Sequence, residues 1–352
     1  MHDETYLFPR RLTRRDFLGT LGVGAASLTC SPLLAAEASP TPVRLGAGSH
    51  AYELDPHWGE LPTGMKYGWG CAVVVDSQDR LIVTSRSTDP TVAIFDREGR
   101  LLETWSNDFA RRIGYSVEKA AQTAHGLYLS REGDQEYLYW TENAPGCRMV
   151  KTDLRGKVLY QVGKVAEESS TAQRLRFDNP TDVAVAPNGD IYLVDGYGSQ
   201  KVFRFTKDFQ LLKVIGGPGK AHGQFNTCHG IWISTLGAEP EVYIADRQNG
   251  RLEIFSLELE YKRTLEGSVR NPCCFYQHAG ELFIPDLASR VTILDAHDQV
   301  VAQLGDGQGV TGKEKNPATF AAPHALTVDS HGDLYVIEWV DFGRPRRFRH
   351  VV

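Results

Sequence analysis

The chain has 352 residues, of which 41% are hydrophobic and 10% aromatic, and this content supplies a sizeable core and excludes a disordered or fibrous chain. The formal net charge of −6 does not favour a nucleic-acid partner, because phosphate-binding surfaces carry an excess of Lys and Arg. The 34 glycines, the 17 prolines and the many short apolar runs favour an all-β architecture.

Residues 1–40 differ from the rest and are interpreted as a targeting segment. Arg14 and Arg15 precede an apolar, small-residue stretch over Phe17–Leu28, and Ala35–Ala38 offers a cleavage region. This pattern resembles a bacterial twin-arginine signal peptide, which implies transport by the twin-arginine export machinery to the periplasm or outside the cell. The alternative of a transmembrane helix is less favoured, because the stretch is shorter than the roughly 20 residues that span a bilayer. Lipidation at Cys30 is a second alternative, although the residue before it suits a lipoprotein cleavage site poorly.

A motif with several short strands recurs along residues 41–352. Its clearest copy, Asn179–Tyr197, contains a strand, a Pro-Asn-Gly-Asp turn and a second strand, and further strands follow at Lys201–Phe205 and Leu211–Ile215. Five other segments superimpose on this copy. A repeat of about 40 to 55 residues with four strands is typical of a propeller blade, so the sequence predicts an all-β fold, a six-bladed β-propeller.

The sixth blade is one strand short. It begins at His324, and the chain ends soon after the strand over Phe348–Val351. The segment Val43–Tyr52, which precedes the first blade, can supply the missing strand. A blade that joins both ends of the chain would close the ring and remove the exposed sheet edges.

Histidine occupies alternate blades at one position of the innermost strand. The equivalent residues in the six blades are Cys71, His125, Thr181, His229, Cys273 and His324. Alternate blades of a six-bladed ring lie about 120° apart, so the three imidazoles should converge in the central channel. Three protein ligands leave a fourth position for water or substrate, as in catalytic zinc sites. Each histidine alone would more often be a hydrogen-bonded structural residue, and it is the shared register that predicts His125, His229 and His324 as metal ligands.

A second register lies where the second strand of each blade reaches the same face. Its members are Arg86, Glu142, Gly196, Arg247, Leu287 and Trp339. Arg86 and Arg247 belong to opposite blades, one and four, and Tyr197 stands one step further along blade three. Two guanidinium groups across a channel mouth would suit a carboxylate or a developing oxyanion. Alternatively, each arginine pairs with a neighbouring acid such as Asp246 and only joins the blades, and both interpretations stay open.

From about Tyr52 to the end, the chain resembles the peptidyl-α-hydroxyglycine α-amidating lyases, which are relatives of NHL-repeat propellers. The motifs that carry the resemblance are Asn179–Val185, Val194–Tyr197, Gly223–Gly230, Ala245–Arg251 and Pro323–His324. The resemblance implies cleavage of a hydroxylated C-terminal glycine into an amide and glyoxylate. It places the zinc ligands of the family on the three histidines of the shared register, the catalytic tyrosine on Tyr197, and the two substrate-site arginines on Arg86 and Arg247.

Three features depart from that family. The Asp that often follows the third histidine and serves a structural calcium is Ala325 here, so calcium is not expected. A Cys that commonly follows the tyrosine and forms a disulfide is Gly198. The usual copper-dependent hydroxylating domain is absent, so a peptide-hormone substrate is not implied.

The resulting hypothesis is a metal-dependent lyase, with zinc or another divalent transition metal, acting as a monomer on a small molecule or peptide that carries a carboxylate. Tyr197, with its pKa lowered by an arginine, would act as general base, and Arg86 or Arg247 would hold the carboxylate of glyoxylate. One alternative is a calcium-dependent propeller hydrolase acting on a lactone or ester. Another is a non-catalytic NHL-type propeller that binds a ligand or protein. Loops at 107–122 and 305–319 are expected to select what enters the channel.

Overall fold

A computed structural model describes residues 42–106, 118, 122–163, 176–309 and 319–351. The targeting segment predicted over residues 1–40 and most of the two predicted mouth loops lie outside these ranges. The described residues form 25 β-strands and two single-turn 3-10 helices, Gly48–His50 and Arg247–Asn249. None of their helices has the length and apolar content to cross a membrane.

The strands form six antiparallel sheets, which are the six predicted blades. The first three blades consist of β3 (Trp69–Val75), β4 (Leu81–Arg86), β5 (Val92–Phe95) and β6 (Leu101–Trp105) in blade one; β7 (Ala124–Glu132), β8 (Gln135–Glu142), β9 (Arg148–Asp153) and β10 (Val158–Gly163) in blade two; and β11 (Asp182–Val185), β12 (Ile191–Val194), β13 (Lys201–Phe205) and β14 (Leu211–Gly216) in blade three. The next two consist of β15 (Cys228–Ser234), β16 (Glu241–Asp246), β17 (Arg251–Phe255) and β18 (Tyr261–Glu266) in blade four, and β19 (Tyr276–His278), β20 (Glu281–Asp286), β21 (Arg290–Leu294) and β22 (Val300–Leu304) in blade five. Blade six combines β23 (Pro323–Val328), β24 (Leu334–Glu338) and β25 (Pro345–His350) with the first two strands of the chain, β1 (Arg44–Leu45) and β2 (Tyr52–Asp55). The six-bladed all-β fold is confirmed.

The ring closes in blade six, where the strand order is β23-β24-β25-β2-β1. The predicted closure by the start of the chain is therefore confirmed, but the strand that pairs with β25 begins at Tyr52 instead of ending there, with Tyr52 opposite His350 and Asp55 opposite Arg347. The reason is a tight turn just before it. Gly46 has a φ of +71°, and a Cβ there would lie 2.0 Å from the carbonyl oxygen of His50, so the chain can straighten only after this turn.

Burial along the strands follows their position in each blade. All six residues of the inner strand β23 are buried, whereas the outer strand β14 alternates between half-buried and exposed residues. The inner strands are covered by neighbouring blades on both faces, and the outer strands face water on one side. Each fully buried Leu, Ile, Val or Phe contributes about 1.5–3 kcal/mol, so the cores between blades hold the inner strands in place around the channel.

The Pro-Asn-Gly-Asp segment forms the expected turn between β11 and β12. Gly189 adopts a φ of +89°, and its N–H donates to the carbonyl oxygen of Ala186 at 2.8 Å. The side chain of Asn188 accepts a hydrogen bond from the N–H of Asp190 at 3.0 Å. Glycine supplies the left-handed conformation and asparagine satisfies the backbone donor, which is why this tetrapeptide marks the blade repeat.

Replacing Gly230 by alanine is expected to destabilise the ring. A Cβ at this position would lie 2.2 Å from the carbonyl oxygen of Cys273 on the adjacent blade. The backbone of one blade would have to shift to relieve this contact, and such a shift costs free energy. Overpacking of this kind costs roughly 1–3 kcal/mol, so the melting temperature should fall by several degrees. The measurement is thermal unfolding with a chelator present, so that metal affinity makes no contribution. Gly237→Ala is the matched control, because its nearest neighbour would be 3.6 Å away. Equal melting temperatures for the two variants would contradict this explanation.

Candidate metal centre

The three predicted ligand histidines meet in the channel. Their ring centroids lie 4.9 Å apart for His125 and His229, 5.1 Å for His125 and His324, and 5.0 Å for His229 and His324. All three side chains are buried, and their ligand atoms lie within 4.8 Å of one another. Nitrogen ligands bound about 2.1 Å from one ion lie no more than about 4.2 Å apart, so the cluster is close to ligating distances.

Each imidazole is oriented by the blade that follows it. The Nδ1 atoms of His125, His229 and His324 lie 2.7, 2.7 and 2.6 Å from the carbonyl oxygens of Thr181, Cys273 and Cys71. A carbonyl oxygen only accepts, so each Nδ1 carries the proton and each Nε2 keeps its lone pair. A backbone carbonyl behind the ring is the usual partner of a metal-bound histidine, because it fixes both tautomer and orientation.

The three carbonyl acceptors are functional features that the sequence interpretation missed. They belong to the residues at the same register position in the three blades without histidine, so six equivalent positions alternate between ligand and support. A backbone carbonyl acceptor cannot be recognised from the residue type, because Thr and Cys have the same backbone carbonyl group. The alternation of histidine with other residues was the only available signal.

The donor set fits a divalent transition metal. The Nε2 atoms of His125 and His324 are buried and have no hydrogen-bond partner among the described residues. Burial lowers the pKa of His125 and His229 well below the usual range and that of His324 to about 3, so the rings are neutral at pH 7. Neutral imidazoles with inward-facing lone pairs are ligands that zinc accepts readily. An orphaned buried nitrogen is costly without such a partner.

Tyr197 lies against this cluster. Its hydroxyl donates to Nε2 of His229 at 3.0 Å and accepts from a terminal nitrogen of Arg247 at 3.2 Å. The predicted contact with an arginine is present, but the predicted direction of the pKa shift is wrong. Burial raises the pKa of Tyr197 by more than Arg247 lowers it, because removing a phenolate from water outweighs one guanidinium contact.

Both predicted arginines lie near the histidines and lower the pKa of His125 and of His324. Arg247 is buried, contacts Tyr197, and its Nε has no hydrogen-bond partner among the described residues. Arg86 is half-buried and donates to Oδ1 of Asn143 at 2.5 Å. Among the described residues neither arginine forms an ion pair with a carboxylate.

The alternative interpretation, in which each arginine pairs with an acid and joins two blades, does not hold for the described residues. Asp246 accepts instead from Nε of Arg251 at 2.8 Å and from the side-chain amide of Asn249 at 2.7 Å. Arg247 follows Asp246 in sequence but turns toward the channel. The mouth therefore holds two guanidinium groups that have no neutralising acid among the described residues, and this arrangement favours an anion.

The histidine layer also bounds a cavity of about 260 Å³ deeper in the channel. Apolar inner-strand residues form most of its wall, including Val73, Leu129 and Ile231. The wall includes Asp182, and burial raises the pKa of this carboxyl to about 7. Tyr197, Arg86 and Arg247 do not line this cavity, so the tyrosine and both guanidinium groups lie on the mouth side of the histidine layer.

Comparison with known proteins agrees with the repeat and the fold. The NHL repeat family matches residues 177–205. NHL repeat-containing protein 3 of Mus musculus is 29% identical over 82% of this chain and 81% of its own length, and the Homo sapiens protein of the same name is 27% identical over 58% of this chain and 56% of its own length. A probable peptidyl-α-hydroxyglycine α-amidating lyase of Caenorhabditis elegans is 27% identical over 70% of this chain and 66% of that protein.

Among solved structures, a virginiamycin B lyase from Staphylococcus aureus superimposes with a TM-score of 0.56 at 12% identity, covering 85% of this chain and all of that chain. At that identity the likeness concerns the fold alone. The chain is thus a six-bladed propeller with an NHL repeat, distantly similar to NHL repeat-containing proteins and to amidating lyases.

Proposed function

We propose that this protein is a zinc-dependent carbon–nitrogen lyase, which cleaves an N-acyl-α-hydroxyglycine or a peptide ending in α-hydroxyglycine into an amide and glyoxylate. The observation that supports this proposal most strongly is the convergence of three neutral imidazoles beside a tyrosine hydroxyl and two arginines, neither of which forms an ion pair with an acid in the described ranges. Similarity to proteins named as α-amidating lyases supports the same reaction class.

His125, His229 and His324 would hold the zinc ion through Nε2. A zinc ion there would supply positive charge beside the substrate hydroxyl and the Tyr197 phenol, which favours loss of a proton from each. An all-imidazole set suits zinc better than calcium, which prefers carboxylate and carbonyl oxygens. This ligand chemistry is why the lyase is preferred to the calcium-dependent hydrolase.

Tyr197 would move one proton through the reaction. Its oxygen takes the proton of the substrate hydroxyl, the carbon–oxygen double bond of glyoxylate forms, and the carbon–nitrogen bond breaks. The bonding pair passes to the amide nitrogen, which takes up the proton that Tyr197 received. Atoms and charge balance without water or an added oxidant, so the site needs only one group that accepts and returns a proton.

Arg247 would bind the carboxylate of the substrate. Its guanidinium is buried beside Tyr197 with an unpartnered Nε, and the charge of Arg86 adds to the attraction. Arg247→Met should weaken the binding of N-benzoylglycine, an unreactive analogue, by about 10- to 100-fold, because charged hydrogen bonds contribute roughly 1.5–3 kcal/mol. Calorimetry with N-benzoylglycine and its neutral amide measures this effect. Arg247→Lys keeps the charge and should retain part of the affinity. Unchanged selectivity for the carboxylate in Arg247→Met would remove Arg247 from the assignment.

The direct test is incubation of zinc-loaded protein with N-benzoyl-α-hydroxyglycine. Glyoxylate and benzamide should appear in equal amounts, and chelation should stop their formation. Metal analysis of the purified protein separates the alternatives in the same experiment. Zinc without glyoxylate would reject this substrate class, oxygen-ligated calcium would favour a hydrolase, and neither metal nor turnover would favour a binding propeller.

A further inference from the structure

Three aromatic rings lead from the histidine cluster to the protein surface. The Trp339 ring stacks on His324 with centroids 5.1 Å apart and an interplanar angle of 29°, and the Trp69 ring lies 5.1 Å from Trp339. Exposure rises along this series, from 3% for His324 through a half-buried Trp339 to 41% for Trp69. Because Trp339 connects the exposed indole of Trp69 to the histidine cluster, the two rings together offer a continuous apolar surface from the candidate site to solvent.

Close packing between blades one and six builds this pair of indoles. Trp69 begins β3, and Trp339 directly follows β24. Gly70 lets the two strands approach, because a Cβ there would lie 2.4 Å from the carbonyl oxygen of Glu338. The backbone N–H of Trp339 donates to the carbonyl oxygen of Ala322 at 2.8 Å, and this hydrogen bond fixes the backbone position from which the indole extends.

The indole pair lies on the Arg86 side of the mouth. Trp69 pairs with Arg86 across β3 and β4, and the Arg86 guanidinium lies 5.0 Å from the centre of the Trp339 ring. Tyr197 and Arg247 belong to blades three and four on the other side of the channel. The mouth therefore has the two indoles and Arg86 on one side and Tyr197 and Arg247 on the other, with the histidines between them.

This division matches the two halves of an N-acyl-α-hydroxyglycine. The carboxylate would face Arg247 and the hydroxylated carbon would face the histidines, so the acyl group would extend toward Trp339 and Trp69. A purely structural role for the pair would need only the contact between the two rings. Such a role does not require that the stack begin on a candidate ligand, His324, and reach solvent at Trp69.

We propose that Trp69 and Trp339 form the acyl-binding subsite, and that the preferred substrates carry a flat aromatic or large apolar group next to the scissile amide. This inference rests on the proposed function for the direction of the substrate. The positive charge of Arg86 beside Trp339 adds a second selection, against substrates with a cationic group at that position.

The test is binding of unreactive N-acylglycines to the zinc-loaded protein by calorimetry, with N-benzoylglycine compared with N-acetylglycine. Stacking on the indoles should give the benzoyl compound about tenfold tighter binding, since aromatic contacts contribute roughly 0.5–1.5 kcal/mol beyond the area that they bury. In Trp69→Ala this ratio should fall to near one, and in Trp69→Phe it should recover in part. Tyr261→Ala removes a ring of equal exposure on outer strand β18 and should keep the ratio of the unmodified protein.

The outcomes separate this inference from the proposed function. Turnover of N-benzoyl-α-hydroxyglycine with an unchanged binding ratio in Trp69→Ala would overturn the acyl subsite and leave the lyase assignment standing. A ratio that falls in Trp69→Ala would support the subsite even in a protein that forms no glyoxylate. Failure of both N-acylglycines to bind would overturn the subsite together with the carboxylate site.

Discussion

Replacing Tyr197 by phenylalanine is expected to lower kcat by about 10²- to 10⁴-fold, the usual contribution of a general acid–base group, while zinc content stays unchanged. The substitution removes only the oxygen that lies 3.0 Å from Nε2 of His229 and 3.2 Å from Arg247. The ring remains to pack against His125 and His229 at centroid distances of 5.2 and 5.4 Å. The structure of the site should therefore persist while its proton carrier is lost.

Two measurements on Tyr197→Phe decide the matter. Glyoxylate formation under saturating substrate gives kcat, and metal analysis gives the zinc content of the same sample. Tyr261→Phe is the matched control, because this tyrosine lies on the outer strand β18 of blade four and its hydroxyl is hydrogen-bonded to Oγ1 of Thr264 at 3.0 Å. An undiminished rate, or loss of zinc from Tyr197→Phe, would show that Tyr197 does not act as the proton carrier.

The part of the site that repeats could be predicted from the sequence. A blade repeat fixes which residues share a height along the channel, so histidine at every second copy was enough to bring His125, His229 and His324 together. The same counting placed Arg86 and Arg247 near the cluster. Repetition converts sequence spacing into spatial position, and this conversion needs no knowledge of side-chain contacts.

The features that could not be predicted from the sequence depend on contacts between blades and on burial. The carbonyl supports of the histidines carry no residue signature, and the balance between desolvation and Arg247 at Tyr197 reversed the expected pKa direction. Trp339 was visible in the second register, but its stacking on His324 and its approach to Trp69 follow from the packing of blade six against blade one. The register of the closing strand also differed, because a glycine turn delays pairing until Tyr52.

In the part of the chain that the structure describes, no acid pairs with Arg86 or Arg247, and this affects the stability of the site in the metal-free protein. Three neutral imidazoles and two guanidinium groups share a small volume, and burial together with the arginines keeps the imidazoles unprotonated. Such a cluster is ready to accept a cation through Nε2 but gains nothing from the unpartnered nitrogens until it does. Metal binding should therefore add to the free energy of unfolding as well as to activity.

Replacing His125 by alanine is expected to abolish stable zinc binding and turnover together. This histidine is chosen because its Nε2 has no hydrogen-bond partner among the described residues and its ring does not stack on Trp339. Nε2 of His229, in contrast, is hydrogen-bonded to the Tyr197 hydroxyl, and the His324 ring stacks on Trp339. Zinc at a thousand times its Kd stabilises a folded protein by about 4 kcal/mol. The melting temperature of the unmodified protein should rise on adding zinc, and that of His125→Ala should not.

The matched control for His125→Ala is His222→Ala, which removes a mostly exposed imidazole that does not belong to the histidine cluster. It should retain one zinc per chain, the thermal shift and glyoxylate formation. Because the thermal shift does not depend on turnover, it tests the zinc ligands independently of the identity of the substrate. A melting temperature of His125→Ala that rises with zinc as much as that of His222→Ala would mean that the ion binds elsewhere, and the three-histidine centre would have to be given up while the propeller fold remained.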